Sequence, residues 1–148
     1  MALNGSASIN HQIIIAYLNT NINNFLFVTK NKNFKNLVST TETKFEFSLG
    51  KKVIRKESDI LVFNKTDYKE IFIWIEISKK IMVARDKSKI NLIFKKNTNL
   101  QEGFVYDYEN NIWYKRTRNN KFQKSDVSNF LSNTNLSKFI YSINSDVF

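Results

Sequence analysis

Three carboxylates stand where their side chains could do chemistry: Glu46, Asp59 and Glu76. Glu76 is the most telling, because it closes the apolar run FIWI of the stretch FIWIEISKK, Phe72 to Lys80. A carboxylate next to a buried run is costly unless something compensates it. Carboxylates gathered at one edge of a sheet repel one another unless a cation joins them, and hard divalent metals such as Mg²⁺ prefer oxygen ligands of this kind. The three residues therefore form a candidate metal site.

The elements that must position them follow from the apolar periodicity. SINHQIIIAYLNTNINNFLF opens on Ser8, an N-cap candidate, and Ile14, Ala16, Tyr17, Leu18 and Phe25 give it helical spacing. His11 lies on this helix, where a solvent-facing or lightly bonded role is expected. VTKNKNFKNLVSTTET reads as loop with a short helical turn near Phe34 to Val38. KFEFSL alternates strictly and predicts a half-buried strand carrying Glu46. A turn at Gly50 leads into VIRKESDILVF, a second strand carrying Asp59, and IFIWIEI, apolar on both faces, predicts the central strand of the sheet. Asp86 or Ser88 caps a following amphipathic helix in which Ile90, Ile93 and Phe94 form the apolar stripe and lysines the outer face. FVYDYENNIWYKR then reads as two strands turning at Asn110-Asn111. Helices are expected over Val127 to Leu131 and Leu136 to Ile143.

At 148 residues the chain is expected to be one domain, with a core over about 8–115 and a helical extension over about 125–148. It has no cysteine, which excludes disulfides, thiolate zinc sites and thiol nucleophiles, and its single histidine argues against a histidine-rich metal site or a Ser-His-Asp triad. Twenty-three basic against 13 acidic residues give a net charge of +10. Such a balance fits a polyanionic partner, although an Asn-, Lys- and Ile-rich composition raises lysine by itself. No basic start followed by a long apolar run marks a secretory signal, and Ile71 to Ile75 is far short of the roughly 20 residues of a membrane helix. The expectation is a soluble, cytoplasmic protein.

With ESDILVF and IWIEISKK in these strands, the chain resembles the PD-(D/E)xK nuclease superfamily. The first segment is similar to that family's Asp-containing strand and the second to its (D/E)xK strand, 17 positions later through a short polar tip. Glu46 resembles the additional acidic residue that many members carry one strand earlier. The resemblance implies an α/β fold with a mixed central sheet flanked by helices, a restriction-endonuclease-like α-β-β-β-α-β core. It also implies Mg²⁺- or Mn²⁺-dependent hydrolysis of phosphodiesters. Asp59, Glu76 and the backbone carbonyl of Ile77 would hold the metal, and Glu46 would support those ligands from behind or help hold a second metal.

One position departs from the pattern. The motif lysine should stand two residues after Glu76, about 7 Å further along the same strand face, and that position is Ser78. Lys80 has the right face parity if the strand continues, and Lys89 offers a lysine from the next helix, a relocation known in the superfamily. Arg55, Lys79, Arg85, Lys115, Arg116 and Arg118 are the expected contacts to nucleic acid, with DNA the expected partner and RNA the alternative to it. Many such nucleases cut both strands as dimers, so a homodimer fits the reading. Each residue also has a plainer role: Asp59 starting a strand, Glu76 paired with Arg55 or Arg85, Glu46 on a solvated face, and Tyr106, Tyr108 and Tyr114 forming a hairpin's aromatic ladder. The rival function is a catalytically degenerate nucleic-acid-binding or assembly module of the same fold.

Overall fold

Ile15, Leu18, Ile22 and Leu26 recur every three or four residues and are all buried, the stripe by which an amphipathic helix packs on a sheet. In the computed structural model, which describes the backbone of residues 2–140 and the side chains of residues 10–140, this helix is α1, Ala2–Val28. Ser8 is thus inside the helix and is not its cap. After a single 3₁₀ turn at Lys32–Phe34 come β1 (Leu37–Leu49), β2 (Lys52–Asn64) and β3 (Asp67–Ser78). β1 begins well before the alternating KFEFSL run, because Val38, Thr40 and Thr41 are β-branched and suit a pleated surface; the expected loop there is strand.

A 3₁₀ turn at Lys80–Met82 leads into α2, Val83–Lys96. β4 (Glu102–Asp107), β5 (Ile112–Thr117) and β6 (Asn120–Lys124) complete a six-stranded sheet in the order β1-β2-β3-β4-β5-β6. β3 pairs antiparallel with β2 and parallel with β4. The α2 crossover makes the parallel pair possible. β3 is the central strand, as its apolar faces predict: Ile73, Ile75 and Ile77 pack with the α1 stripe, whereas Trp74 packs with Ile90, Ile93 and Phe94 of α2.

The expected helix over Val127 to Leu131 is replaced by β7 (Val127–Ser128), paired with β8 (Thr134–Asn135). The buried Glu102 carboxylate accepts bonds from the Ser128 hydroxyl and the Asn129 and Phe130 amides, so these amides serve a carboxylate rather than a helical ladder. Residues 137–140 are helical, and the remainder of the expected last helix lies outside the described residues. Among the described residues no helix is long and apolar enough to cross a membrane.

Candidate active site

The sheet forks between β2 and β3. Their ladder runs as far as Ile60 opposite Ile75. Beyond that rung β2 stays paired with β1, from Ser58 opposite Thr43 to Lys52 opposite Leu49, while Glu76, Ile77 and Ser78 stay paired with β4. A fork leaves backbone donors without partners, and buried donors must find them. Two side chains fill the gap: Asp59 Oδ2 accepts the Ile77 amide at 2.7 Å, and Glu76 Oε2 accepts the Asp59 amide at 3.3 Å. The carboxylates expected to share a cation are thereby interlocked across one opening. A strand residue's N–H and C=O point to the same edge, so the Ile77 carbonyl faces this opening too.

α2 supplies the cation. Lys89 Nζ lies 2.5 Å from Glu76 Oε1, and it also donates to the Glu57 carbonyl at 3.1 Å. The remaining Glu76 oxygen accepts the buried Trp74 indole N–H at 2.8 Å. Ser78 occupies the place of the expected strand lysine and donates its hydroxyl to Asp86 Oδ2 at 2.5 Å. Asp86, one helical turn before Lys89, has its other oxygen 3.8 Å from Lys89 Nζ and without a hydrogen-bond donor. Asp86 is not the helix cap: the helix starts at Val83 with Met82 at its N-cap, and the side chain points inward. Gly103 makes the close approach of α2 possible, since a Cβ there would stand 2.4 Å from Ile90 Cγ2.

The third wall comes from α1. His11 Nε2 lies 3.3 Å from Asp59 Oδ2, and its ring is 6.3 Å from that of Tyr108. His11 is thus the lightly bonded histidine of the two expected roles, and it also forms a wall of the cleft. Together these groups surround an open cleft of about 640 Å³. Its electrostatics are those of crowded acids. Burial, then the neighbouring Asp59 carboxylate, push the Glu76 carboxyl up to about 7 against the opposing pull of Lys89. The hydrogen bond to Asp59 raises the His11 imidazole above its ordinary value, against the lowering effect of its burial.

Several expected residues lie elsewhere. Glu46 faces Arg55 across the β1–β2 ladder and pairs with it at 2.7 Å on the surface; neither residue lines the cleft. Lys80 is exposed on the 3₁₀ turn, because β3 stops at Ser78 and the face parity that would have aimed it at Glu76 ends there. Lys79 and Arg85 do line the cleft. Lys115, Arg116 and Arg118 are engaged within the protein. Lys115 lies 3.4 Å from Glu102, Arg116 stacks on Phe94 and donates to Asn91, and Arg118 donates to the Phe94, Asn97 and Leu100 carbonyls. Tyr106 stacks on Trp113 at 4.5 Å, and Tyr114 lies under Lys87.

The donor set suits a small hard cation. Among the described residues no three His, Cys, Asp or Glu side chains form a metal-binding group, so an all-protein cage is absent. Mg²⁺ does not need one, because it keeps several waters and takes one or two carboxylates. Asp59, Glu76 and the Ile77 carbonyl are the groups that could hold such an ion, and the acid crowding that raises Glu76 is the kind a dication relieves.

No family model and no curated protein matches the chain. Among solved structures it is similar to a crystal structure of a protein from Anabaena variabilis ATCC 29413, a proposed nuclease belonging to DUF820. The two are 16% identical, with 88% of this chain and 79% of that chain covered at a TM-score of 0.62. The likeness is one of fold. The architecture is the expected one: a mixed sheet flanked by helices, in the α-β-β-β-α-β order of the restriction-endonuclease-like fold.

Proposed function

We propose that the chain is a metal-dependent nuclease that hydrolyses phosphodiesters in DNA. The observation that carries this reading is the meeting of Asp59, Glu76 and Lys89 at one fork of the sheet, with the Glu76–Lys89 contact at 2.5 Å. A fold shared with a proposed nuclease supports it. Asp59, Glu76 and the Ile77 carbonyl would hold Mg²⁺ or Mn²⁺, which supplies Lewis acidity toward the phosphate and a bound water of lowered pKa.

The chain's own residues then have distinct tasks. Lys89 brings to the cleft the positive charge that Ser78 cannot supply, and it orients the attacking water and balances charge building on the phosphate. Asp86 and Ser78 hold the start of α2 against the end of β3, which fixes where Lys89 emerges. His11 holds Asp59 through Oδ2, the oxygen that also accepts the Ile77 amide, as groups bonded to ligating carboxylates do in metal sites. Lys79 and Arg85 on the cleft wall contact the phosphate backbone.

The rival module without catalysis finds its support in the same ion pair, since Lys89 already neutralises Glu76 without a metal. Cleavage of a DNA panel in Mg²⁺ or Mn²⁺ separates the two. The nuclease reading expects cleavage that Glu76→Gln abolishes with the melting curve intact; binding without cleavage in either metal favours the rival.

A further inference from the structure

We infer that the projecting half of the β1–β2 hairpin is a contact arm for the sugar-phosphate backbone of a nucleic-acid duplex held in the cleft. The inference rests on the nucleic-acid reading of that cleft and adds the surface and the form of substrate it takes. The geometry comes from the fork. Past Asp59, β1 and β2 pair with each other alone, over seven rungs from Thr43–Ser58 to Leu49–Lys52. Six steps along a strand are about 20 Å.

A lone two-stranded ribbon is marginally stable and leaves both edges unpaired, so an arm of this kind calls for an account. Its root is anchored, with the Phe45 ring edge-on to Trp74 at 6.4 Å. The arm is charged: residues 43–58 hold five of the chain's 23 cations, Lys44, Lys51, Lys52, Arg55 and Lys56, and two carboxylates, Glu46 and Glu57. That cation density is about twice the chain average, so general lysine enrichment does not explain it. Arg55 is paired with Glu46, whereas the four lysines make no ion pair among the described residues.

The arm is continuous with the cleft. Glu57, opposite Lys44 in the ladder, lines the cleft, and on the facing wall stand Lys79 and Arg85. A backbone that runs from the cleft onto the arm passes Lys79 and Arg85 in the cleft and then the lysines of the ribbon. B-form DNA carries a phosphate about every 3.4 Å along each strand, so an arm of about 20 Å spans roughly six base pairs. A duplex is straight over that length because its persistence length is about 150 base pairs, and it cannot bend away from the ribbon as a single strand can. The recognised chemistry is the regular phosphate array, without base reading.

The test uses the full chain without divalent metal, so that binding is measured apart from cleavage. Fluorescence anisotropy over a salt series would follow a labelled duplex and the single strand of the same sequence. The variants are Lys44→Gln/Lys51→Gln/Lys52→Gln/Lys56→Gln and, as a control of charge alone, Lys95→Gln/Lys96→Gln at the exposed far end of α2. Neutralising three to four phosphate contacts should flatten the slope of log K against log salt by roughly 3 for the duplex. It should cost at least tenfold in duplex affinity at moderate salt and less for the single strand, with the control near wild type. Unchanged duplex binding in the arm variant, or equal loss in the control, overturns the inference. Cleavage in Mg²⁺ with an unaltered arm-variant affinity refutes the arm alone. Arm-dependent duplex binding without cleavage in any metal retains the arm and refutes the nuclease.

Discussion

Lys89 of α2 lies 2.5 Å from Glu76 of β3, and this contact brings a helix lysine to the carboxylate, while Ser78, two residues along the strand, bonds Asp86 instead. The contact is built by packing. Gly103 lets Ile90 close onto β4, and Ser78 ties β3 to Asp86, so α2 cannot shift without moving the ammonium.

Gly103→Ala tests that packing. The added methyl would have to displace Ile90 Cγ2 from 2.4 Å, an overpacking that costs about 1–3 kcal/mol. The expected outcome is a lower melting temperature and a larger relative loss of cleavage. Ile90→Ala in the same chain should then cost less than the sum of the two single changes, and strict additivity in thermal melts would count against the packing account.

The architecture was readable wherever one residue class dominates a segment. FIWIEI is apolar on both faces and became the central strand, and the Ile90, Ile93, Phe94 stripe became the inner face of α2. Asp59 and Glu76 were legible as a pair because each borders an apolar run, Asp59 just before ILVF and Glu76 just after FIWI. What was not legible depends on contacts between distant segments. His11 meets Asp59 across 48 positions, and nothing local distinguishes it from a solvated histidine. Asp86 imitates a helix cap because the 3₁₀ turn at Lys80–Met82 starts α2 earlier than capping residues suggest. That turn also takes Lys80 out of the strand. β6 has a single large apolar residue, Phe122, and so little periodicity to read. The hint that was available lies in the i,i+3 pair Asp86 and Lys89, which places an acid and a base on one face of the helix that follows Glu76.

His11→Gln should loosen Asp59 and weaken the metal. Removing groups bonded to ligating carboxylates typically costs about 10–100-fold in metal affinity or activity. The expected result is a higher metal requirement for cleavage, recovered at saturating Mg²⁺, with little change in thermal stability. Loss of activity that no metal concentration restores would assign His11 a different task.

The pH dependence has a definite sign. Glu76 is raised from 4.5 to about 7 in the folded chain, so between those values the folded state holds more protons than the unfolded one, and stability falls as pH rises through that window. His11, also raised, acts the same way: its contribution is full below the unfolded value of 6.5 and is lost as pH rises through the folded value. A dication favours the ionised carboxylate. Mg²⁺ should therefore raise the melting temperature more at about pH 8 than at about pH 5, with proton release on binding between them. Melting curves with a Mg²⁺ shift that is equal at both pH values would contradict this.

Arg118 is expected to matter for stability alone. Its guanidinium serves the Phe94, Asn97 and Leu100 carbonyls, and truncation leaves partly buried acceptors unpaired at about 1–3 kcal/mol. Arg118→Ala should lower the denaturant midpoint while the salt slope of DNA binding stays unchanged; a slope that falls by about one unit would make Arg118 a phosphate contact.

In the proposed nuclease, Lys89 of α2 takes the part of the strand lysine whose position Ser78 occupies. Single-turnover cleavage of duplex DNA in Mg²⁺ and in Mn²⁺ tests it most directly, comparing wild type, Lys89→Met, and Lys89→Met with Ser78→Lys. The expected result is metal-dependent cleavage by the wild type, a loss of about 10²–10⁴-fold in Lys89→Met, and partial recovery when the strand lysine is supplied. A wild-type chain that cleaves in neither metal, or a Lys89→Met chain that cleaves as fast as wild type, would contradict it.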